Sequence, residues 1–206
     1  MTTRIILAAL AACLAAAPAL TQPAPIPAPT LGTAPKDDLV RVRIETSAGV
    51  IVLALDRGRA PLTVANFLGY IDRKAFDGEG FYRAMPYGDG GLIQAGITSD
   101  AHKLRPPVAH EPSSLTGLRN VAGSVAMARM VPGSARSDFF IMTNDIPAFD
   151  ADAKDPGFAV FGRVVEGMHV VKAILAAPRS ATKGDGVMKG QMLDPAVTIV
   201  KATRVK

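Results

Sequence analysis

The 206-residue chain has no tryptophan and one cysteine, Cys13, which lies in an apolar N-terminal stretch. The rest of the chain holds no thiol, which excludes disulfides, thiol catalysis and cysteine-ligated metals from the folded part. A domain of this size buries an adequate core without such staples. Histidine is scarce as well. His102, His110 and His169 are the three present, and none falls at a paired metal-ligand spacing. Asp150-Ala151-Asp152-Ala153-Lys154-Asp155 has the acidic alternation of a calcium loop but lacks its central Gly and terminal Glu. Gly88-Asp89-Gly90-Gly91 is not followed by Gly-Lys-Ser/Thr, so it is no phosphate loop. Ser124 and Ser134 stand in no nucleophile elbow and have no base to name. No cofactor and no metal are therefore expected. The net charge is +5, with the basic residues scattered along the chain rather than gathered on one face. That distribution argues for weak attraction to anionic surfaces and against nucleic-acid binding.

The N-terminus is organised for export. Arg4 supplies a short positive region, Ile5 to Ala17 an apolar one, and Ala17-Pro18-Ala19 a small-residue cleavage site. Residues 1–19 are read as a signal peptide, too short and Ala-rich to serve as a membrane span. A rival reading takes Leu10-Ala11-Ala12-Cys13 as a lipoprotein box with a lipid anchor on Cys13. The segment before Cys13 is short for that, and the apolar run continues past it to Leu20. Residues 20–38, with Pro23, Pro25, Pro27, Pro29 and Pro35, form an extended spacer. Residues 39–206 are the folded domain, expected to act as a monomer.

Within that domain Val40, Val42 and Ile44 alternate with Arg41, Arg43 and Glu45, the period-two pattern of a half-buried strand. Ser47-Ala48-Gly49 breaks it, and an apolar run from Val50 to Leu55 completes a hairpin. Pro61 opens a helix in which Val64, Ala65, Leu68 and Ile71 recur at helical spacing. From Phe81 to Phe161 short apolar runs are cut by Gly, Pro, Asn and Asp, which favours an antiparallel sheet or barrel. A second helix is expected over about residues 167–177, and Val197-Thr198-Ile199-Val200 is a final strand.

The chain has only three Tyr and eight Phe, and eight of these eleven aromatics lie between Phe81 and Phe161. Phe81-Tyr82-Arg83 places a permanently charged guanidinium among them, with Gln94 a few positions on. Phe81-Tyr82-Arg83-Ala84-Met85-Pro86 resembles the F-[HY]-R-x-x-P of the cyclophilin family of peptidyl-prolyl isomerases. Leu92-Ile93-Gln94-Ala95-Gly96 resembles its M-x-Q-G-G, Gly123 to Ala128 its G-x-[LIV]-[SA]-M-A, and Ser137 to Ile141 its S-Q-F-F-I. Phe158 to Met168 and Pro61 to Phe67 are similar to two further blocks, and all run in order over about residues 39–202. Gly117-Leu118-Arg119-Asn120 and Ala126-Met127-Ala128-Arg129 are closest in form to the bacterial exported branch.

The resemblance implies a mainly β fold, an eight-stranded antiparallel barrel capped by two α-helices, with a proline groove on its outer face. It implies an enzyme that turns X-Pro bonds in unfolded or nascent polypeptides of the bacterial periplasm. Arg83 and Gln94 would be catalytic. Leu92, Met127, Ala128, Arg129, Asp138, Phe140, Phe149 and Phe158 would line the substrate groove. A proline-peptide binding module or chaperone without turnover, on the same barrel, is the alternative. Three departures from the pattern stand out. Pro86 to Leu92 is three residues longer than the family's P-G-F-M, leaving Tyr87 as the candidate for its groove phenylalanine. Asp138 replaces the glutamine of S-Q-F-F, where it would pair with Arg83 or compete for its donors. Arg129 stands where many members have Asn.

Overall fold

The computed structural model describes residues 38–205. Residues 1–37, which include the expected signal peptide, all but the last residue of the expected spacer, and Cys13, lie outside the described residues. The expected first hairpin forms: β1 (Leu39–Thr46) pairs antiparallel with β2 (Gly49–Asp56), Thr46 opposite Gly49. Six more strands follow: β3 (Gly80–Tyr87), β4 (Gly90–Gly96), β5 (Ser124–Met127), β6 (Phe139–Met142), β7 (Val160–Glu166) and β8 (Met192–Arg204). Every pairing is antiparallel, and the order β1-β2-β7-β5-β6-β4-β3-β8 closes on itself. Closure removes the free edges that an open sheet would present.

Helix α1 (Pro61–Asp72) begins with its proline in the first turn, where a missing N–H costs nothing. Its N-cap residue, Ala60, offers no side-chain acceptor. The buried Glu111 carboxylate takes that role from a distance, accepting from Leu62 N (3.2 Å), Thr63 N (2.8 Å) and the Thr63 hydroxyl (2.6 Å). A carboxylate there also suits the positive end of the helix dipole. Helix α3 (Met168–Leu175) is the second expected one, and Val170, Val171 and Ile174 share its buried face. Between them lies α2 (Ser113–Thr116), which was not expected. Four residues are too few to show a helical period.

Strand alternation divides the apolar residues into two groups. Val42, Ile44, Leu53, Phe81, Ile93, Val125, Met127, Phe139, Ile141 and Phe161 fill the interior with the buried faces of α1 and α3. Phe67 is the hub of its aromatic packing, with ring centroids 5.3 Å from Phe76 and 5.1 Å from both Phe139 and Phe161. A smaller group of Leu92, Ala126, Phe140, Met142, Ile146 and Val160 lies on the other side of the wall, with Phe149 and Phe158 packed against it. That second group is the foundation of the site.

Candidate active site

A β-bulge in β3 assembles the polar half of the site. Phe81 pairs with Ala95, and Arg83 pairs with Gln94, so Tyr82 is the extra residue. Phe81 and Ala84 are fully buried in the interior, whereas Tyr82 and Arg83 both line the outer cavity. Plain alternation would send these two neighbours to opposite faces; a bulge re-aims one of them. Gln94 lies directly across the pairing from Arg83.

The Arg83 guanidinium is held by three neutral acceptors. Its Nε donates to Gln191 Oε1 (2.9 Å), Nη1 to Gln94 Oε1 (2.8 Å) and Nη2 to the Met85 sulfur (3.3 Å). A guanidinium carries five N–H groups, so two remain for a ligand. Burial pushes its pKa below the ordinary value, partly offset by Tyr82, and the group still stays charged at neutral pH. The expected ion pair between Arg83 and Asp138 does not form. Asp138 instead accepts from the Tyr82 hydroxyl at 2.5 Å and from the Ser137 hydroxyl at 3.1 Å. Burial, and then the Asp138 charge, push the Tyr82 pKa well above its usual value, so its hydroxyl keeps its proton.

These groups open onto a cavity of about 560 Å³. Of the groove residues expected from sequence, Leu92, Ala128, Arg129, Asp138, Phe140, Phe149 and Phe158 line it with Arg83 and Gln94. Phe140, Phe149 and Phe158 form a three-ring wall, with centroids 5.8, 5.3 and 4.7 Å apart. Arg129 is a buttress to this wall. It lies 5.1 Å over the Phe158 ring, donates to Gly157 O (3.0 and 2.7 Å) and pairs with Asp155.

Two expected residues are not there. Met127 points into the barrel interior, because it alternates with Ala126 on β5. Tyr87 is exposed at the end of β3 and lines no part of the cavity. The added residues after Pro86 extend a β3–β4 hairpin closed by the two-residue turn Gly88-Asp89, which carries Tyr87 away from the groove. Gly88 adopts φ +60° in that turn, a conformation that favours glycine.

Residues 41–204 match the model of the family described as cyclophilin type peptidyl-prolyl cis-trans isomerase/CLD. The chain is a cyclophilin-type peptidyl-prolyl cis-trans isomerase. It is 42% identical over 137 residues to peptidyl-prolyl cis-trans isomerase A of Dickeya dadantii, covering 65% of this chain and 70% of that one. It is 34% identical over 167 residues to peptidyl-prolyl cis-trans isomerase B of Escherichia coli, covering 77% and 98%. The fold matches a solved cyclophilin type isomerase of Cryptosporidium parvum with a TM-score of 0.66 at 18% identity, over 82% of this chain and 98% of that one. A second structure of that protein, obtained in the presence of the dipeptide Ala-Pro, gives 0.63 at 19% identity, covering 81% and 99%.

The cyclophilin motifs did not reveal Gln191, which reaches Arg83 from the loop before β8, 108 positions away. Its own amide donates to Val187 O at 2.7 Å, which fixes its direction. Met85, Met130, Met188 and Met192 also line the cavity, adding soft, adaptable surface. Only Met85 lay within a quoted cyclophilin motif. No helix among the described residues is long and apolar enough to cross a membrane.

Proposed function

We propose that this cyclophilin acts on X-Pro segments of incompletely folded polypeptides exported to the bacterial periplasm, with Arg83 as its catalytic group. The observation that carries the reading is that Arg83, with two N–H groups uncommitted, lines the same cavity as the apolar side chains of Phe140 and Leu92. The prolyl ring would pack on the apolar wall that Phe140, Phe149 and Phe158 form together. Amide resonance opposes rotation with a barrier of about 18–20 kcal/mol. At the halfway twist that resonance is lost and the prolyl nitrogen gains a basic lone pair. Arg83 donates to this lone pair, which does not exist as an acceptor in the planar amide. The interaction therefore favours the transition state over the ground state.

Gln94 holds the guanidinium in place from across the β3–β4 pairing and lies within reach of the substrate carbonyl. No covalent step and no proton transfer are needed. The apolar, Met-rich lining suits segments with apolar residues flanking the proline. Export rests on the sequence of residues 1–19, and the mass of the mature N-terminus tests it: cleavage after Ala19 is expected, and a lipid mass on Cys13 would overturn that. For catalysis, Arg83→Ala should lower kcat/KM for a prolyl tetrapeptide by about 10²–10³, the scale of removing one preorganised transition-state donor. Unchanged turnover in a folded Arg83→Ala variant would defeat the assignment.

A further inference from the structure

The outer face of β3 and β4 carries a directed chain of four polar groups that ends at Arg83. Asp138 Oδ1 accepts from the Tyr82 hydroxyl at 2.5 Å. The same hydroxyl accepts from Gln94 Nε2 at 2.5 Å, and Gln94 Oε1 accepts from Arg83 Nη1 at 2.8 Å. Amide oxygen and nitrogen are hard to tell apart by shape, so the direction has to come from donor and acceptor inventory. Both ends of the chain settle it. Arg83 can only donate, and an ionised carboxylate can only accept. A tyrosine hydroxyl has one proton, and Tyr82 donates it in the hydrogen bond to Asp138. The hydroxyl can then offer Gln94 only a lone pair, which turns the Gln94 NH₂ toward Tyr82 and its oxygen toward Arg83.

We infer that Tyr82 and Asp138 are positioning residues for isomerisation: together they lock the Gln94 amide in the one orientation that holds the Arg83 guanidinium for catalysis. The inference rests on Arg83 being the catalytic donor. A second observation supports it independently. Gly96 is buried at the end of β4, and a Cβ there would lie 2.5 Å from both Cγ and Oδ1 of Asp138. Its φ is not in the left-handed region, so the constraint is space for the carboxylate rather than backbone strain. The glutamine of the family pattern at position 138 could not impose a direction, because an amide both donates and accepts. With an amide there the Tyr82 proton could turn to Gln94, and the Gln94 NH₂ would face the guanidinium, donor against donor.

The test compares the full chain with Tyr82→Phe, Asp138→Asn, the double variant and Arg83→Ala, using NMR exchange of a short Ala-Pro peptide to separate kcat from KM. Each single variant should lower kcat about tenfold with KM unchanged within about twofold, the scale of one charge-assisted hydrogen bond. The double variant should fall no further than the worse single one, because both act through the same amide. A second readout does not depend on turnover: the Gln94 side-chain amide protons should lose their exchange protection in Tyr82→Phe and keep it in Arg83→Ala. If Arg83→Ala abolishes turnover while Tyr82→Phe and Asp138→Asn keep wild-type kcat, the positioning role is overturned and the catalytic reading stands. If Arg83→Ala itself keeps wild-type kcat, the catalytic reading fails first. Additive losses, or protected Gln94 amide protons in Tyr82→Phe, also overturn the relay.

Discussion

Asp138 accepts a 2.5 Å hydrogen bond from Tyr82 and leaves the next residue, Arg83, with no carboxylate partner among the described residues. A carboxylate bound directly to the guanidinium would neutralise the charge that the proposed mechanism uses and compete with substrate for its donors. One residue away, the same carboxylate leaves the Arg83 charge free and meets it only through an amide and a hydroxyl.

Gly96→Ala offers a way to disturb this arrangement without removing any polar atom. The added methyl must displace the Asp138 carboxylate, since their carbons would otherwise approach to 2.5 Å. Turnover of a prolyl peptide should fall about tenfold with KM little changed, as expected for one charge-assisted hydrogen bond lost away from the substrate. Wild-type kcat in folded Gly96→Ala would show that the carboxylate position is immaterial.

Gln191→Leu should loosen Arg83 from its other side. It removes the 2.9 Å bond to Nε at a partly exposed position, so the core is untouched. The expected result is a loss of about three- to tenfold in kcat with a change in stability under about 1 kcal/mol, measured by peptide isomerisation beside a thermal melt. A variant that melts early but turns over normally would contradict this.

Phe139 and Phe140 are adjacent in sequence and should separate stability from binding. Phe139 packs against Phe67, Phe76 and Phe81 inside the barrel, and its truncation to Ala should cost about 3–5 kcal/mol in denaturant unfolding. Phe140 faces Phe149 and Phe158 in the groove. Phe140→Leu keeps an apolar side chain of similar bulk, which usually costs under about 1.5 kcal/mol, but loses the flat floor, so KM for proline peptides should rise. Equal effects of the two changes on KM would refute the division.

Glu79 gives the domain a defined acid sensitivity. Its buried carboxylate is raised by desolvation, but bonds from Ser99, Lys103 and the amides of Thr98 and Ser99 outweigh that and hold it below its ordinary value. As pH falls, the unfolded chain therefore takes up this proton before the folded one. The stabilisation is complete above the unfolded value, near 4.5, and is lost as pH falls through the lower folded one. Melting temperatures of wild type and Glu79→Gln should thus differ at pH 7 and converge toward pH 3. A gap that persists unchanged at low pH would rule out Glu79 as its source.

Much of the architecture was legible before any coordinates. The alternation of Val40, Val42 and Ile44, the Gly49 turn and Pro61 at a helix start are local signals, and local steric preferences honour them. The ordered motifs located Arg83, Gln94 and the three groove phenylalanines on the same cavity. Met127 was misplaced because a motif names neighbours without saying which face each one takes. Tyr87 was misplaced because the extra residues after Pro86 lengthened a hairpin instead of a groove loop.

The sequence by itself determined the residue types: an arginine, an amide and a set of rings. It also determined the period-two alternation that sends Phe139 and Phe140 to opposite faces. Only the tertiary structure decided that Tyr82 and Arg83 share a face, because a bulge is a mismatch in pairing with β4 and exists only once both strands are in register. It also decided that Gln191 would hold Arg83 and that Asp138 would choose Tyr82. Those partners are 108 and 56 positions apart, a separation that no local preference spans and only closure of the barrel brings to hydrogen-bond distance.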